Sequence, residues 1–205
     1  MKLIRTIASV LCLTALVSCN TEAQKRDTME KNQVIETIMA RRSIRQYTGE
    51  PVKRETLQTI LECGINAPSG MNRQSWEVRV IDNPEIIGKL KGHMVQANPE
   101  TSAQAVEGSF RGAPTLVIIA NASDYDFSAI DCGLLSENIM LSAWSLGVGS
   151  VCLGSPIRYI NKSAEALQML GFSEGYNPII CIGLGYSDEK PEAKPRDMGK
   201  VKFIE

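Results

Sequence analysis

The chain has a single histidine, His93, among its 205 residues. A zinc centre built on several imidazoles, a Cys2His2 finger and an HExxH protease are excluded on that ground alone. It also lacks a surplus of either charge. With 22 basic and 23 acidic residues, nothing electrostatic favours a nucleic-acid partner. No CxxC pair, GxxxxGK[ST] loop, GxGxxG fingerprint or GxSxG elbow occurs, so the commoner phosphate-binding and nucleophilic signatures are missing. A hydrophobic fraction of 43% and a charged fraction of 22% exclude a polytopic membrane protein, a collagen-like chain and a wholly disordered one.

The apolar run from Ile7 to Val17 is about half the roughly 20 residues that a bilayer-spanning helix requires. With Lys2 and Arg5 ahead of it, it fits the h-region of a secretory signal. The run closes in Leu16-Val17-Ser18-Cys19, which resembles a bacterial lipobox. That resemblance implies cleavage before a lipidated Cys19, whose acyl chains anchor stably at roughly 0.8 kcal/mol per buried CH₂. Residue 20 is Asn rather than the Asp associated with inner-membrane retention, which leans toward the outer membrane. The expectation is therefore a bacterial cell-envelope lipoprotein with a signal peptide at 1–19, a polar tether at 20–31 and one domain at 32–205. Cys63, Cys132, Cys152 and Cys181 remain in the mature chain. Two disulfides are open to an exported domain. Cys132 and Cys181, however, sit in apolar segments where cysteine acts as a small hydrophobe, which favours free thiols.

No internal repeat or mid-chain linker divides 32–205. Asn32 is placed to cap a helix carrying Val34, Ile35, Ile38 and Met39. Leu57, Ile60, Leu61 and Ile65 mark a second helix, ended by residues 66–70. Residues 76–81 alternate and read as a strand. A helix starts at Asn83-Pro84 and runs to about Lys91, followed by a helix with a mobile loop over 92–112. Residues 115–120 and 179–184 are continuous apolar runs, read as buried strands, and 201–204 as a short terminal strand. The longest helix runs from about Ser128 to Leu146. Its apolar circumference is broken by one polar stripe, Asp131, Asn138, Ser142 and Ser145, so it is expected to be buried nearly all round. A further helix covers about 162–170. Helices and strands without regular βαβ alternation indicate an α+β fold with a small sheet.

Four segments carry polar chemistry. Arg41-Arg42-Ser43-Ile44-Arg45-Gln46-Tyr47 places three guanidiniums and a hydroxyl within five residues, a set suited to an oxyanion. The same charges also suit a plain helix C-terminus. The segment from Ala67 to Trp76 begins in a Pro-Ser-Gly turn with amide side chains behind it. The segment from Gly147 to Pro156 contains glycines that admit a flat ligand close to the backbone. Lys190-Pro-Glu-Ala-Lys-Pro-Arg196 is a proline-stiffened basic segment that reads equally as a solvated tail.

Taken together, in this order and spacing, the four segments resemble the nitroreductase family of FMN-dependent oxidoreductases over about 38–205. The resemblance implies an α+β nitroreductase-like fold, with a small mostly antiparallel sheet flanked by helices, in an intertwined homodimer with FMN at the interface. Arg41 and Ser43 would hold the FMN phosphate, joined by Lys194 and Arg196. Arg42 would lie along the ribityl chain. Arg45 would sit near N1 and the C2 carbonyl, where a fixed cation stabilises the charge that reduction develops. Pro68, Ser69, Met71, Asn72 and Gln74 would reach the flavin of the other subunit. The backbone of Leu153, Gly154 and Ser155 would face N5 and O4. The polar stripe of the long helix would support the flavin contacts or the dimer interface. No side-chain nucleophile and no metal is implied, since the flavin performs the redox step. Lys89, Lys91 and His93 match no family contact, and His93 reads as an exposed helix-end residue.

The implied activity is ping-pong hydride transfer from NAD(P)H to nitroaromatics, quinones or other flat electrophiles. Export and a nicotinamide donor point to different compartments. A non-enzymatic flavin-binding lipoprotein, or a family variant doing dehalogenation or flavin breakdown, is the alternative.

Overall fold

The computed structural model describes residues 32–205; the expected signal peptide, Cys19 and the expected tether lie outside the described residues. Helix α1 (Gln33–Ala40) forms with Asn32 at its start, whose Oδ1 accepts the N–H groups of Val34 at 3.0 Å and Ile35 at 3.2 Å. None of its residues is buried.

The second unit, Arg41–Glu205, is built on a four-stranded antiparallel sheet. Its strands are β1 (Trp76–Ile81), β2 (Thr115–Ala122), β3 (Gly149–Leu153) and β4 (Tyr176–Gly185), in the order β1-β2-β4-β3. Its helices are α2 (Arg54–Ile65), α3 (Pro84–Ala97), α4 (Ala103–Glu107), α5 (Ser128–Ser145), α6 (Ser155–Ile160) and α7 (Ala164–Leu170). Side chains alternate along a strand, so the central β2 serves two cores. Leu116 and Ile118 join Cys181, Val151 and Leu153 beneath residues of α3, α6 and α7. Val117 and Ile119 join Ile182 and Leu184 beneath Leu57 and Ile60 of α2 and Leu135 and Ile139 of α5. The continuous apolar runs of β2 and β4 follow from this double burial.

Helix α2 seats tightly on α5, because a Cβ at Gly64 would stand 2.6 Å from Cγ1 of Ile139. The polar stripe of α5 lies partly on this seam: Asn138 Nδ2 donates to the Cys63 carbonyl at 3.1 Å and Ser142 Oγ to that of Ile60 at 3.4 Å. Among the described residues no helix is long and apolar enough to cross a membrane.

The edge strand β3 at residues 149–153 and helix α6 at residues 155–160 have no counterpart in the sequence pattern beyond a glycine-bearing segment. Three expectations need correction. Residues 201–204 are not a strand: no strand among the described residues pairs with them, and Phe203 and Ile204 are each 92% exposed. Helix α5 is not buried all round, for Phe127, Ile130 and Leu134 form an exposed apolar stripe along it. His93 lies inside α3, half-buried, rather than exposed at a helix end.

Candidate functional site

The arginine-rich segment after α1 is an irregular strap laid along the β3 side of the sheet. Ser43 forms a parallel bridge with Ser150, and the N–H of Ile44 donates to the Ser150 carbonyl at 2.9 Å. Further on, the N–H of Thr48 donates to the Tyr186 carbonyl at 3.0 Å. Two glycines permit this approach. A Cβ at Gly149 would stand 2.9 Å from both γ carbons of Ile44, and one at Gly185 would stand 2.8 Å from Cδ1 of Tyr47. Tyr47 fixes the strap from within, its hydroxyl donating to the Ile44 carbonyl at 2.8 Å. Burial, with the Glu189 charge adding to it, pushes the Tyr47 phenol well above its ordinary range, so it remains a neutral donor.

Strap and C-terminal segment converge. Arg41, Arg42, Ser43 and Arg45 line one cavity of about 220 Å³ with Pro191, Glu192, Lys194 and Arg196. Arg41, Arg42, Arg45, Lys194 and Arg196 bring five cations to it, and Glu192 is the one carboxylate among its described lining residues. Such a surplus is unfavourable unless an anion or solvent offsets it. Arg41 also stands 3.8 Å from Glu137 of α5, a loose contact that leaves its guanidinium fork able to serve a second acceptor. Arg45 is held by its Nη1 donating to the Ser43 carbonyl at 3.1 Å. All six residues expected at the phosphate, ribityl and N1 positions therefore meet in one place. A neighbouring cavity of about 320 Å³, between Ile44, Trp144 and Val148, contains no arginine.

Pro68, Ser69, Met71, Asn72 and Gln74 do not line the cationic cavity. They form a separate turn between α2 and β1, with Met71, Asn72 and Gln74 at φ of 53°, 53° and 48°. Three left-handed non-glycine residues in four positions cost on the order of 1–3 kcal/mol each and persist only where the surroundings enforce them. Here Asp131, 2% exposed, enforces them. Its Oδ1 accepts the Gly70 N–H at 3.0 Å and its Oδ2 the Ser75 hydroxyl at 2.9 Å, on either side of the strained residues. Ser69 Oγ accepts the Gln74 N–H at 3.1 Å, and Arg73 stacks 4.4 Å from the Tyr125 ring centroid. Met71 is 82% exposed at the tip.

Leu153, Gly154 and Ser155 form the junction of β3 and α6. Leu153 is buried, Gly154 and Ser155 are exposed, and no atom lies within 4 Å of where a Gly154 side chain would start. That open backbone admits close approach. Lys89, Lys91 and His93 lie on α3 and reach none of these places.

Sequence reasoning gives Glu189 no role, names Tyr47 only as the end of the arginine-rich segment, and reads Asp131 only as one member of a stripe. The one available signal was Asp131 as an acid in an apolar helix. Glu189 sits in a charged run with nothing to single it out.

The sequence pattern of the nitroreductase family matches residues 38–186. The chain is 32% identical over 173 residues to the NADPH-flavin oxidoreductase of Vibrio harveyi, covering 80% of this chain and 70% of that protein. A nitroreductase with bound FMN from Bacteroides fragilis has the same fold at a TM-score of 0.77 and 28% identity, over 85% of this chain and 100% of that one. A nitroreductase with bound FMN from Desulfitobacterium hafniense aligns at a TM-score of 0.75 and 29% identity, over 85% and 99% of the two chains.

Proposed function

The chain belongs to the nitroreductase family, and from that membership we propose that it is an FMN-dependent NAD(P)H oxidoreductase acting on nitroaromatics, quinones or similar flat electrophiles. The observation that carries the reading is the single cavity in which Arg41, Arg42, Ser43 and Arg45 meet Lys194 and Arg196 from the other end of the chain. Its donor set fits a phosphate dianion, because guanidinium forks and a hydroxyl satisfy several phosphate oxygens at once. Bound FMN supplies the hydride chemistry.

In this reading Arg41, Ser43, Lys194 and Arg196 hold the phosphate and Arg42 lies along the ribityl chain. Arg45 orients the ring from the N1 side. The open backbone at Leu153-Gly154-Ser155 sets the distance of closest approach on the N5 side. Pro68, Ser69, Met71, Asn72 and Gln74, held in their strained turn by Asp131, serve the flavin of the second subunit. The donor leaves before the acceptor enters, a ping-pong order.

Homodimerisation accounts for the apolar groups that the described residues leave exposed: Met71, the Phe127–Ile130–Leu134 stripe, Phe203 and Ile204. Export and a lipid anchor at Cys19, placing the domain at the cell envelope, complete the reading. Their support is the lipobox-like Leu16-Val17-Ser18-Cys19 alone. Radioactive fatty-acid label, lost in Cys19→Ser, tests the anchor.

The function is tested by purifying the protein, identifying the flavin it releases, and measuring steady-state rates with NADH or NADPH against a nitroaromatic and a quinone. Parallel double-reciprocal lines are expected. Bound FMN without turnover on any acceptor would make the protein a flavin carrier instead.

A further inference from the structure

The cationic segment 190–196 needs a reason to lie beside the strap. Five positive groups in one cavity repel each other, and the segment has little of its own to hold it there. Beyond Glu189, the hydrogen bonds of residues 190–205 are local among the described residues. Arg196 Nη1 donates to the Lys194 carbonyl at 3.2 Å, and the rest fall within 197–201. The residues from Glu192 onward are exposed.

The last long-range tie before the cations is Glu189. Its Oε2 accepts the main-chain N–H of Arg45 at 2.6 Å and of Gln46 at 3.0 Å. Two consecutive amides aimed at one anion make a small nest, here filled from within the chain. Ser187 reinforces the tie: its hydroxyl donates to the Gln46 carbonyl at 2.5 Å and accepts the Glu189 N–H at 2.9 Å. The strap does not depend on this contact, being fixed by Ile44 on Ser150, Tyr47 on Ile44 and Thr48 on Tyr186. The segment does depend on it. Pro191 and Pro195 then stiffen the few residues between the latch and Arg196, so fixing Glu189 restricts where Lys194 and Arg196 can be.

We propose that Glu189 is a positioning residue for the flavin phosphate: it touches no ligand, but latches the C-terminal segment to the strap so that Lys194 and Arg196 complete the cavity begun by Arg41 and Ser43. The proposal rests on the phosphate reading given above, and its test separates the two.

Apoprotein of wild type, Glu189→Ala, Glu189→Gln, Arg196→Ala and the Glu189→Ala/Arg196→Ala double variant is titrated with FMN and with riboflavin, which has no phosphate. Far-UV circular dichroism checks that each variant is folded. Should Glu189→Ala fail to fold, Glu189→Gln carries the same readout, because its amide oxygen still fits the nest without the charge. The latch predicts that Glu189→Ala weakens FMN roughly tenfold and leaves riboflavin unchanged. Glu189→Gln falls between it and wild type. The double variant binds FMN little worse than the weaker single one, because both changes remove the same contact. Weaker FMN in Arg196→Ala with none in Glu189→Ala would overturn the latch and leave the phosphate site standing. Equal losses of FMN and riboflavin in Glu189→Ala would also overturn it, showing that Glu189 serves the strap or the ring. No loss in Arg196→Ala would remove the segment from the phosphate, and the latch with it.

Discussion

Gly149 and Gly185 stand directly opposite each other in the register of β3 and β4, and the strap crosses the sheet on this pair, Ile44 over Gly149 and Tyr47 over Gly185. The arginines reach their cavity because two side chains are missing from the sheet beneath them.

Adding one of those side chains should disturb both stability and cofactor binding. In Gly185→Ala the new Cβ would stand 2.7 Å from Cδ of Pro114 and 2.8 Å from Cδ1 of Tyr47, and both neighbours are fixed rings. Overpacking of this kind costs about 1–3 kcal/mol. Urea denaturation should show that loss at unchanged m-value, with weaker FMN binding as Tyr47 and the strap shift. A loss within roughly 0.5 kcal/mol, the scatter of an exposed substitution, would mean the sheet has room to spare.

The clamp at Asp131 is the second target. Asp131→Ala leaves the Gly70 N–H and the Ser75 hydroxyl without their carboxylate. The expected cost is about 1.5–3 kcal/mol in thermal or urea unfolding, the range for hydrogen bonds to a charged group. Asp131→Asn, which keeps an acceptor, should lose less. Equal stability of wild type and alanine variant would show that the left-handed residues Met71, Asn72 and Gln74 hold themselves.

How far the sequence could lead is visible in these elements. Strands β1, β2 and β4 announce themselves by alternation or by apolar runs. Strand β3 does not, since its five residues begin with Gly149 and carry only Val151 and Leu153 into the core. Residues 201–204 have a strand's composition, yet pairing is a tertiary fact and the described residues offer them no partner. Nothing in the spacing of Arg41 and Arg196 joins them; only the family resemblance does. Glu189 illustrates the limit: its partners are 143 and 144 positions away, and no local pattern marks a carboxylate that will fill a backbone nest.

The cysteines offer a test of burial. All four in the described domain are free thiols, Cys63 and Cys152 exposed, Cys132 and Cys181 buried. Burial, with the nearby Asp131 charge, pushes the Cys132 thiol up to about 11. Burial also raises Cys152, with Glu137 adding to it and Arg41 opposing it. Iodoacetamide on the native protein near pH 7 should modify Cys63 first and Cys152 more slowly. The Cys152 rate should climb as the pH rises, because a raised thiol pKa leaves little thiolate at neutrality. Cys132 and Cys181 should react only on unfolding. Mass spectrometry of the labelled protein reads this directly, and labelling of Cys181 without denaturant would contradict the packing of β4.

The uncovered apolar groups predict an oligomer. Light scattering of the purified protein should give a mass near twice that of one chain, with an interface well above the roughly 1,600 Å² of an ordinary complex. Phe203→Asp or Ile204→Asp should weaken it, since both side chains are 92% exposed in the single chain. A stable flavin-loaded monomer would leave the turn at Met71 and Asn72 without a flavin to serve.

The central claim is that Arg41, Ser43, Lys194 and Arg196 form a phosphate site for FMN. It is tested most directly by titrating the wild-type and Arg196→Ala apoproteins with FMN and riboflavin, following flavin fluorescence. Losing one charge-assisted contact is worth about 1.5–3 kcal/mol, or roughly 10- to 150-fold in affinity. The account predicts that loss for FMN, with riboflavin affinity unchanged. Identical affinity of the wild-type protein for the two flavins, with no effect of Arg196→Ala on either, would contradict it.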